Sequence, residues 1–120
     1  MKTTSIKTSE LIGHSLNWAV AKADQPIYSD NALILSVQSG YAPSSNWIQG
    51  GLLIEREKIT VGCSDDTCVI WDAYKREFLF EKDGLDAYST GPNPLVAAMR
   101  CYVTSKLGEY VKIPNELIGT

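Results

Sequence analysis

Three cysteines and one histidine are the residues best suited to metal or nucleophilic chemistry in this sequence. Cys63 and Cys68 are separated by four residues that include Asp65 and Asp66. A zinc site needs about four convergent ligands, usually arranged as two close pairs. The sequence offers no second Cys or His pair, so two cysteines flanking a turn read more simply as cross-strand neighbours on a half-buried sheet. No metal and no cofactor is expected. A cysteine–histidine dyad needs hydrogen-bond contact. Spacing puts His14 on the polar face of one helix and Cys101 on the packing face of another, which predicts a solvated histidine and a structural cysteine. Carboxylates are plentiful (Asp30, Asp65, Asp66, Asp72, Asp83, Asp86, Glu55 and Glu57), but most stand in turns. Glu55-Arg56-Glu57-Lys58 and Lys75-Arg76-Glu77 alternate in sign, as exposed strand ends and loops do. No pair of them reads as a hydrolase.

Two polar stretches carry the remaining chemical signal. Residues 38–51 contain turn residues throughout and two large aromatics, and read as a long loop of the kind that often binds ligands. Tyr41 and Trp47 offer stacking surfaces there. Ser44, Asn46 and Gln49 offer hydrogen bonds, and Gly50 and Gly51 let backbone approach a ligand. The second stretch, 88–94, supplies Tyr88, Ser89, Thr90 and Asn93 at the start of a helix, where free N–H groups attract anions. Arg100 on the edge of that helix would add charge. Together these residues suit a small anionic ligand with a flat ring, such as a nucleotide derivative. The alternative reading of the same residues is that Asn93 only caps and Trp47 only plugs the core.

The elements that position these stretches follow from periodicity and punctuation. Asn93 can cap and Pro94 fits the first helical position. An apolar stripe then runs through Leu95, Met99, Tyr102 and Val103, and a small-residue side through Ala97, Ala98, Cys101 and Ser105. This helix should pack on two sides and end near Leu107, where Gly108 follows. A first helix is expected over 8–22, capped by Thr8 or Ser9, with Ile12, Leu16, Ala19, Val20 and Ala23 on one face. Gly13 should weaken it by roughly 1 kcal/mol relative to alanine, and Asn17 should project away with His14. Ala32–Val37 is short and apolar and reads as a buried strand. Leu52-Leu53-Ile54 reads as a short strand or a core anchor. Lys58–Cys63 and Thr67–Ala73 alternate and should form a hairpin around Ser64-Asp65-Asp66. Phe78-Leu79-Phe80 would add a third strand before a turn at Lys82-Asp83-Gly84, with residues 85–93 forming a second polar loop. Tyr110–Ile113 would be a short closing strand.

The chain has 120 residues and a net charge of −3, with 44% hydrophobic and 21% charged residues. That is one domain able to bury a core without a disulfide staple. The expected fold is α+β, a small and mostly antiparallel sheet with two main helices packed on it. The sequence has no basic stripe, which disfavours duplex nucleic acid as a partner. No apolar run approaches a membrane span of ~20 residues. The polar start Met1-Lys2-Thr3-Thr4-Ser5-Ile6-Lys7 does not read as a signal peptide, so a cytoplasmic protein is expected.

Lys7-Thr8-Ser9-Glu10-Leu11 followed by Leu16-Asn17-Trp18-Ala19-Val20-Ala21 resembles the opening of the NinX-like family of small tailed-phage proteins. Tyr41 to Glu55, with Trp47, Gln49, Gly50, Gly51, Ile54 and Glu55, is similar to its middle motif. Gly91 to Val103, then Ser105-Lys106-Leu107-Gly108 and Ile113-Pro114, resembles its closing motif. The resemblance spans most of the chain outside 56–87. It implies a phage accessory protein in a bacterial host cytoplasm, with no catalytic residues to carry over.

Three functions follow as expectations. The first is a non-enzymatic protein that binds and sequesters a small anionic, nucleotide-like signal of host defence between 38–51 and 88–94. The second is an interaction module that docks on a host or phage enzyme, with Tyr41, Trp47 and Tyr88 as surface anchors. The third is an enzyme acting on a nucleotide through a turn aspartate. The small-residue face around Cys101 suits either a homo-oligomer interface or packing on the first helix.

Overall fold

Residues 2–64, 66–67, 69–75 and 87–118 are described in the computed structural model. Among them the element order is β1 (Thr3–Lys7), α1 (Gly13–Asp24), α2 (Asp30–Gln38), α3 (Trp47–Glu57), β2 (Thr60–Cys63), β3 (Trp71–Lys75), β4 (Ala87–Gly91), α4 (Pro94–Leu107) and β5 (Tyr110–Pro114). The class is α+β. Instead of one sheet with two helices there are two small antiparallel sheets and four helices among the described residues. β1 pairs with β5, Thr3 opposite Pro114 and Lys7 opposite Tyr110. β2, β3 and β4 pair antiparallel in that order.

α4 is the central element. The Asn93 side chain caps it by accepting from the Val96 amide at 3.0 Å, Pro94 occupies the first turn, and Gly108 follows its end. Leu95 through Met99 and Cys101 through Val103 are all buried. The small face meets β4, whose inward residues Ala87, Ser89 and Gly91 are equally small. A Cβ on Gly91 would lie 2.7 Å from the Ala97 nitrogen and 3.1 Å from its Cα. That face is therefore filled by β4 and is not exposed to a second copy of the chain. Asn93→Ala should cost about 1 kcal/mol, the usual worth of such a cap, read as a lower urea midpoint with unchanged slope.

Several elements differ from expectation, each for an identifiable reason. Residues 32–37 are helix, not strand. Ser29 caps α2 by accepting from the Ala32 amide at 3.2 Å, and the buried positions are Leu33, Ile34 and Val37. That spacing is helical, and the Ser29-Asp30-Asn31 stretch is its start, not a separate connector. Residues 47–57 are helix, not loop followed by strand. The Asn46 side-chain Oδ1 accepts from the amides of Ile48 at 2.9 Å and Gln49 at 3.2 Å. Gly50 and Gly51 lie inside this helix, where glycine signals a turn by propensity alone. Residues 87–91 are strand, not loop; their inward residues Ala87, Ser89 and Gly91 are too small to show as apolar alternation.

α1 starts at Gly13, five residues later than expected from Thr8; Thr8–Glu10 forms a separate 3₁₀ turn. Gly13 has φ of 61°, so it turns the chain into α1 rather than weakening its interior. Ile12 is exposed, and Asn17 is buried rather than projecting to solvent. The β2–β3 hairpin forms with Val61 opposite Ala73 and Cys63 opposite Trp71, β3 beginning at Trp71 rather than Thr67. Cys63 is disulfide-bonded. Cys68, the third strand at 78–80 and the turn at 82–84 lie outside the described residues.

Candidate functional site

The twelve residues expected to bind a ligand fall into three groups. Ser44, Asn46, Gln49, Asn93 and Arg100 make internal hydrogen bonds. The buried Ser44 donates its hydroxyl to the equally buried Asn17 carbonyl oxygen at 2.6 Å, and its amide reaches the same oxygen at 3.0 Å. This pair ties the turn before α3 to α1. The Gln49 carbonyl oxygen accepts from the Ala42 amide at 2.6 Å, closing that turn from the other side. Asn46 and Asn93 cap. Arg100 donates Nε to the Leu11 carbonyl at 2.8 Å and Nη1 to the Thr90 carbonyl at 2.9 Å, and burial lowers its pKa.

Gly50 serves packing. A Cβ there would overlap the Pro43 carbonyl oxygen and stand 2.7 Å from Leu95 Cδ2. The first polar stretch does meet the start of α4, but the meeting point is filled by Pro43, Gly50 and Leu95. The α4 N-terminus keeps little for an anion: Pro94 has no N–H, Asn93 holds the Val96 amide, and Ala97 donates to the Asn93 carbonyl.

Tyr41, Trp47, Gly51, Tyr88, Ser89 and Thr90 remain. Tyr88 and Ser89 line a polar cavity of about 270 Å³ with Lys7, Ser9, Thr104 and Glu109. Tyr41 and Gln49 line a different one, of about 610 Å³, with Asp24, Leu52, Arg56 and Lys58. The two expected halves of the site thus face different cavities.

A connected polar cluster lies where α1, α3, α4 and β3 converge, and composition gave no hint of it. Arg56 Nη2 donates to Asp24 Oδ1 at 2.7 Å, and its Nε donates to Glu57 Oε2 at 2.9 Å. Its guanidinium lies 5.9 Å from the Tyr102 ring centroid and Nη2 reaches the Tyr102 hydroxyl at 3.2 Å. Lys75 Nζ donates to Glu57 Oε1 at 2.9 Å. That bond, opposed by burial and aided by Arg56, holds the Glu57 carboxyl below its usual range. Tyr102 is pushed up to about 12 by burial and then by the Asp24 carboxylate; Tyr41 is pushed up to about 12 for the same two reasons. Both phenols therefore stay protonated at neutral pH. The alternating charges at 55–58 signalled exposed strand ends; they are the last turn of α3 and the turn after it, and two of the four are internal ties.

Alongside this cluster α3 presents Trp47, Ile48 and Leu52 to solvent, 59%, 79% and 65% exposed. Residues 48 and 52 are one turn apart and share a face. Trp47 lies over Gly51, whose Cβ position is 3.9 Å from the ring. Cys101 is buried against the Ala87 carbonyl, 3.8 Å from Sγ, and His14 is exposed on α1. Among the described residues no three His, Cys, Asp or Glu side chains converge to hold a metal, and no helix is long and apolar enough to cross a membrane.

A family model described as Bacteriophage P22, NinX matches residues 7–106. No curated protein matches the chain. The match covers most of the sequence, and the chain belongs to that phage family.

Proposed function

We propose that this member of the P22 NinX family is a phage accessory protein that acts, without catalysis of its own, by docking on another protein through α3. The observation that carries the reading is the exposed row Trp47, Ile48 and Leu52. Single exposed apolar residues need no explanation, but a tryptophan, an isoleucine and a leucine on adjoining positions of one helix form the anchor of an interface. The Arg56–Asp24–Glu57 network fixes the end of α3 to α1 and β3, so the row is presented on a braced helix. Polar groups at the same end, Glu55 and Lys58, supply the rim.

The test is a photo-crosslinking residue at Leu52, with one at the exposed Lys112 of β5 as control, in phage-infected bacteria. A discrete adduct with one host or phage polypeptide is expected from Leu52 only, and Ile48→Glu should abolish it. Ile48→Glu should change stability by no more than about 0.5 kcal/mol, because the site is exposed. An adduct with a second copy of the chain, or none from either position, overturns the docking reading.

A second reading is favoured by one cavity. Lys7, Ser9, Tyr88, Ser89 and Thr104 together offer a cation, hydroxyls and an aromatic face, which suits a small anionic ring compound and hence sequestration of a nucleotide-like defence signal. Glu109 at the same cavity opposes it. Native mass spectrometry after incubation with lysate of defence-activated bacteria separates the readings. An intact released nucleotide supports sequestration, and an altered product supports an enzyme.

A further inference from the structure

The end of α1, the segment after it and α2 line a cavity of about 310 Å³, at the lower end of the size range of small-ligand pockets. Ala21, Ala32 and Leu33 give it apolar walls, and Tyr28 and Tyr41 give it two aromatic rings. Among the described residues that line it, Asp24 is the only carboxylate and none is basic.

The Asp24 carboxylate is only half used. Oδ1 receives Arg56 Nη2 at 2.7 Å and the Tyr102 hydroxyl at 3.4 Å, whereas no described residue bonds or pairs with Oδ2. The side chain keeps 20% of its accessibility. The last carbonyls of α1 end at the same place, and the C-terminal end of a helix dipole favours positive charge. Of the neighbouring cations, Lys22 pairs with Asp30 at 2.8 Å, and Arg56, shared between Asp24 Oδ1 and Glu57, takes only that one oxygen of Asp24. A carboxylate oxygen, a helix C-terminus, two tyrosine rings and an aliphatic lining are what an organic cation on an apolar stem requires.

We propose that this cavity binds the guanidinium or ammonium head of an arginine or lysine side chain carried by the protein partner. The carrier rests on the docking reading; the preference for a cation does not. The head group takes Asp24 Oδ2, its stem lies on Ala32 and Leu33, and Tyr28 and Tyr41 flank it. The cavity adjoins the α3 surface directly, because Asp24 and Tyr41 also line the groove along Leu52 and Arg56. One partner could then cover the α3 row and insert a basic side chain beside it.

The experiment is an amide chemical-shift titration of the whole chain with Nα-acetyl-arginine methylamide. The citrulline counterpart, matched in shape and uncharged, is the control. Saturable shifts are expected at Ala21, Asp24, Tyr28 and Ser36 with the arginine probe, with binding at least about tenfold weaker for citrulline, as a lost charged hydrogen bond implies. Asp24→Asn should abolish saturation. Tyr28→Ala removes a side chain without a described hydrogen bond, so it should leave the fold intact and weaken binding about fivefold. Equal binding of the citrulline probe, or absence of shifts at these residues up to tens of millimolar arginine probe, overturns the proposal. Saturation by the arginine probe without a Leu52 adduct in cells would instead sink the docking reading and leave the cation site standing.

Discussion

Gly50→Ala is expected to destabilise the protein by about 1–2 kcal/mol, although alanine is the better helix former. Two effects oppose each other at this position. Propensity alone would favour alanine by about 1 kcal/mol inside α3. Against it, the new methyl would overlap the Pro43 carbonyl oxygen and crowd Leu95 Cδ2 at 2.7 Å. The Leu95 tip can yield, but the Pro43 carbonyl is held in the buried turn that Ser44 fixes to Asn17. Overpacking against such a neighbour costs typically 1–3 kcal/mol, and the upper part of that range exceeds the propensity gain. Gly51→Ala should behave oppositely and stabilise by about 0.5–1 kcal/mol, since among the described residues a Cβ there meets the Trp47 ring at an ordinary contact distance of 3.9 Å. Urea denaturation of the two variants checks both signs. Were Gly50 kept for close approach of a ligand, Gly50→Ala would fold as stably as the parent and lose only binding.

The contrast between these neighbouring glycines explains which parts of the fold were legible. Local rules sufficed where residue type and position agreed. Asn93-Pro94, the stripe ending at Val103 and Gly108 delimit α4 without tertiary information, and the alternation around 59–63 and 71–73 marks the hairpin. They failed where a residue's reason is its neighbour. Gly50 marks a close helix contact, yet beside Gly51 it reads as a turn. The inward side of β4 is Ala87, Ser89 and Gly91 because α4 presses Ala97, Ala98 and Cys101 against it. Small on small gives no hydrophobic alternation, so the strand packed on α4 looked like a polar loop. At Ala32–Val37 a continuous apolar run fits either a strand or a buried helix segment, and only the cap at Ser29 distinguishes them.

The roles of the candidate site residues were hard to read in the sequence for a related reason. Ser44, Asn46, Gln49 and Asn93 are the residue types that cap helices and close turns as readily as they bind ligands. Here Asn46, Gln49 and Asn93 accept from backbone amides, and Ser44 donates to the Asn17 side chain. The Asp24–Arg56–Glu57–Lys75 cluster draws on three elements separated by long stretches of chain, and no local spacing announces it. The exposed row on α3 was half visible: Trp47 stood out, but without the helix Ile48 and Leu52 had no common face.

Arg100→Met should cost about 2–3 kcal/mol and leave any bound small molecule in place. The guanidinium spans Leu11 and Thr90, donating to one carbonyl from Nε at 2.8 Å and to the other from Nη1 at 2.9 Å. It thereby joins the segment that leads from β1 into α1 to the end of β4, linking the two sheets through α4. Hydrogen bonds from a charged donor contribute about 1.5–3 kcal/mol each, and a pair on one side chain adds less than twice that. Methionine keeps most of the stem's packing and removes both donors, so the loss reads on the bonds themselves. Arg100→Lys distinguishes a structural tie from a phosphate ligand. A lysine restores the charge but offers a single ammonium where a fork reached two carbonyls, so it should recover less than half of the lost stability. If Arg100 instead served an anion, Arg100→Lys would retain most of the binding and Arg100→Met would unfold at the parent urea midpoint.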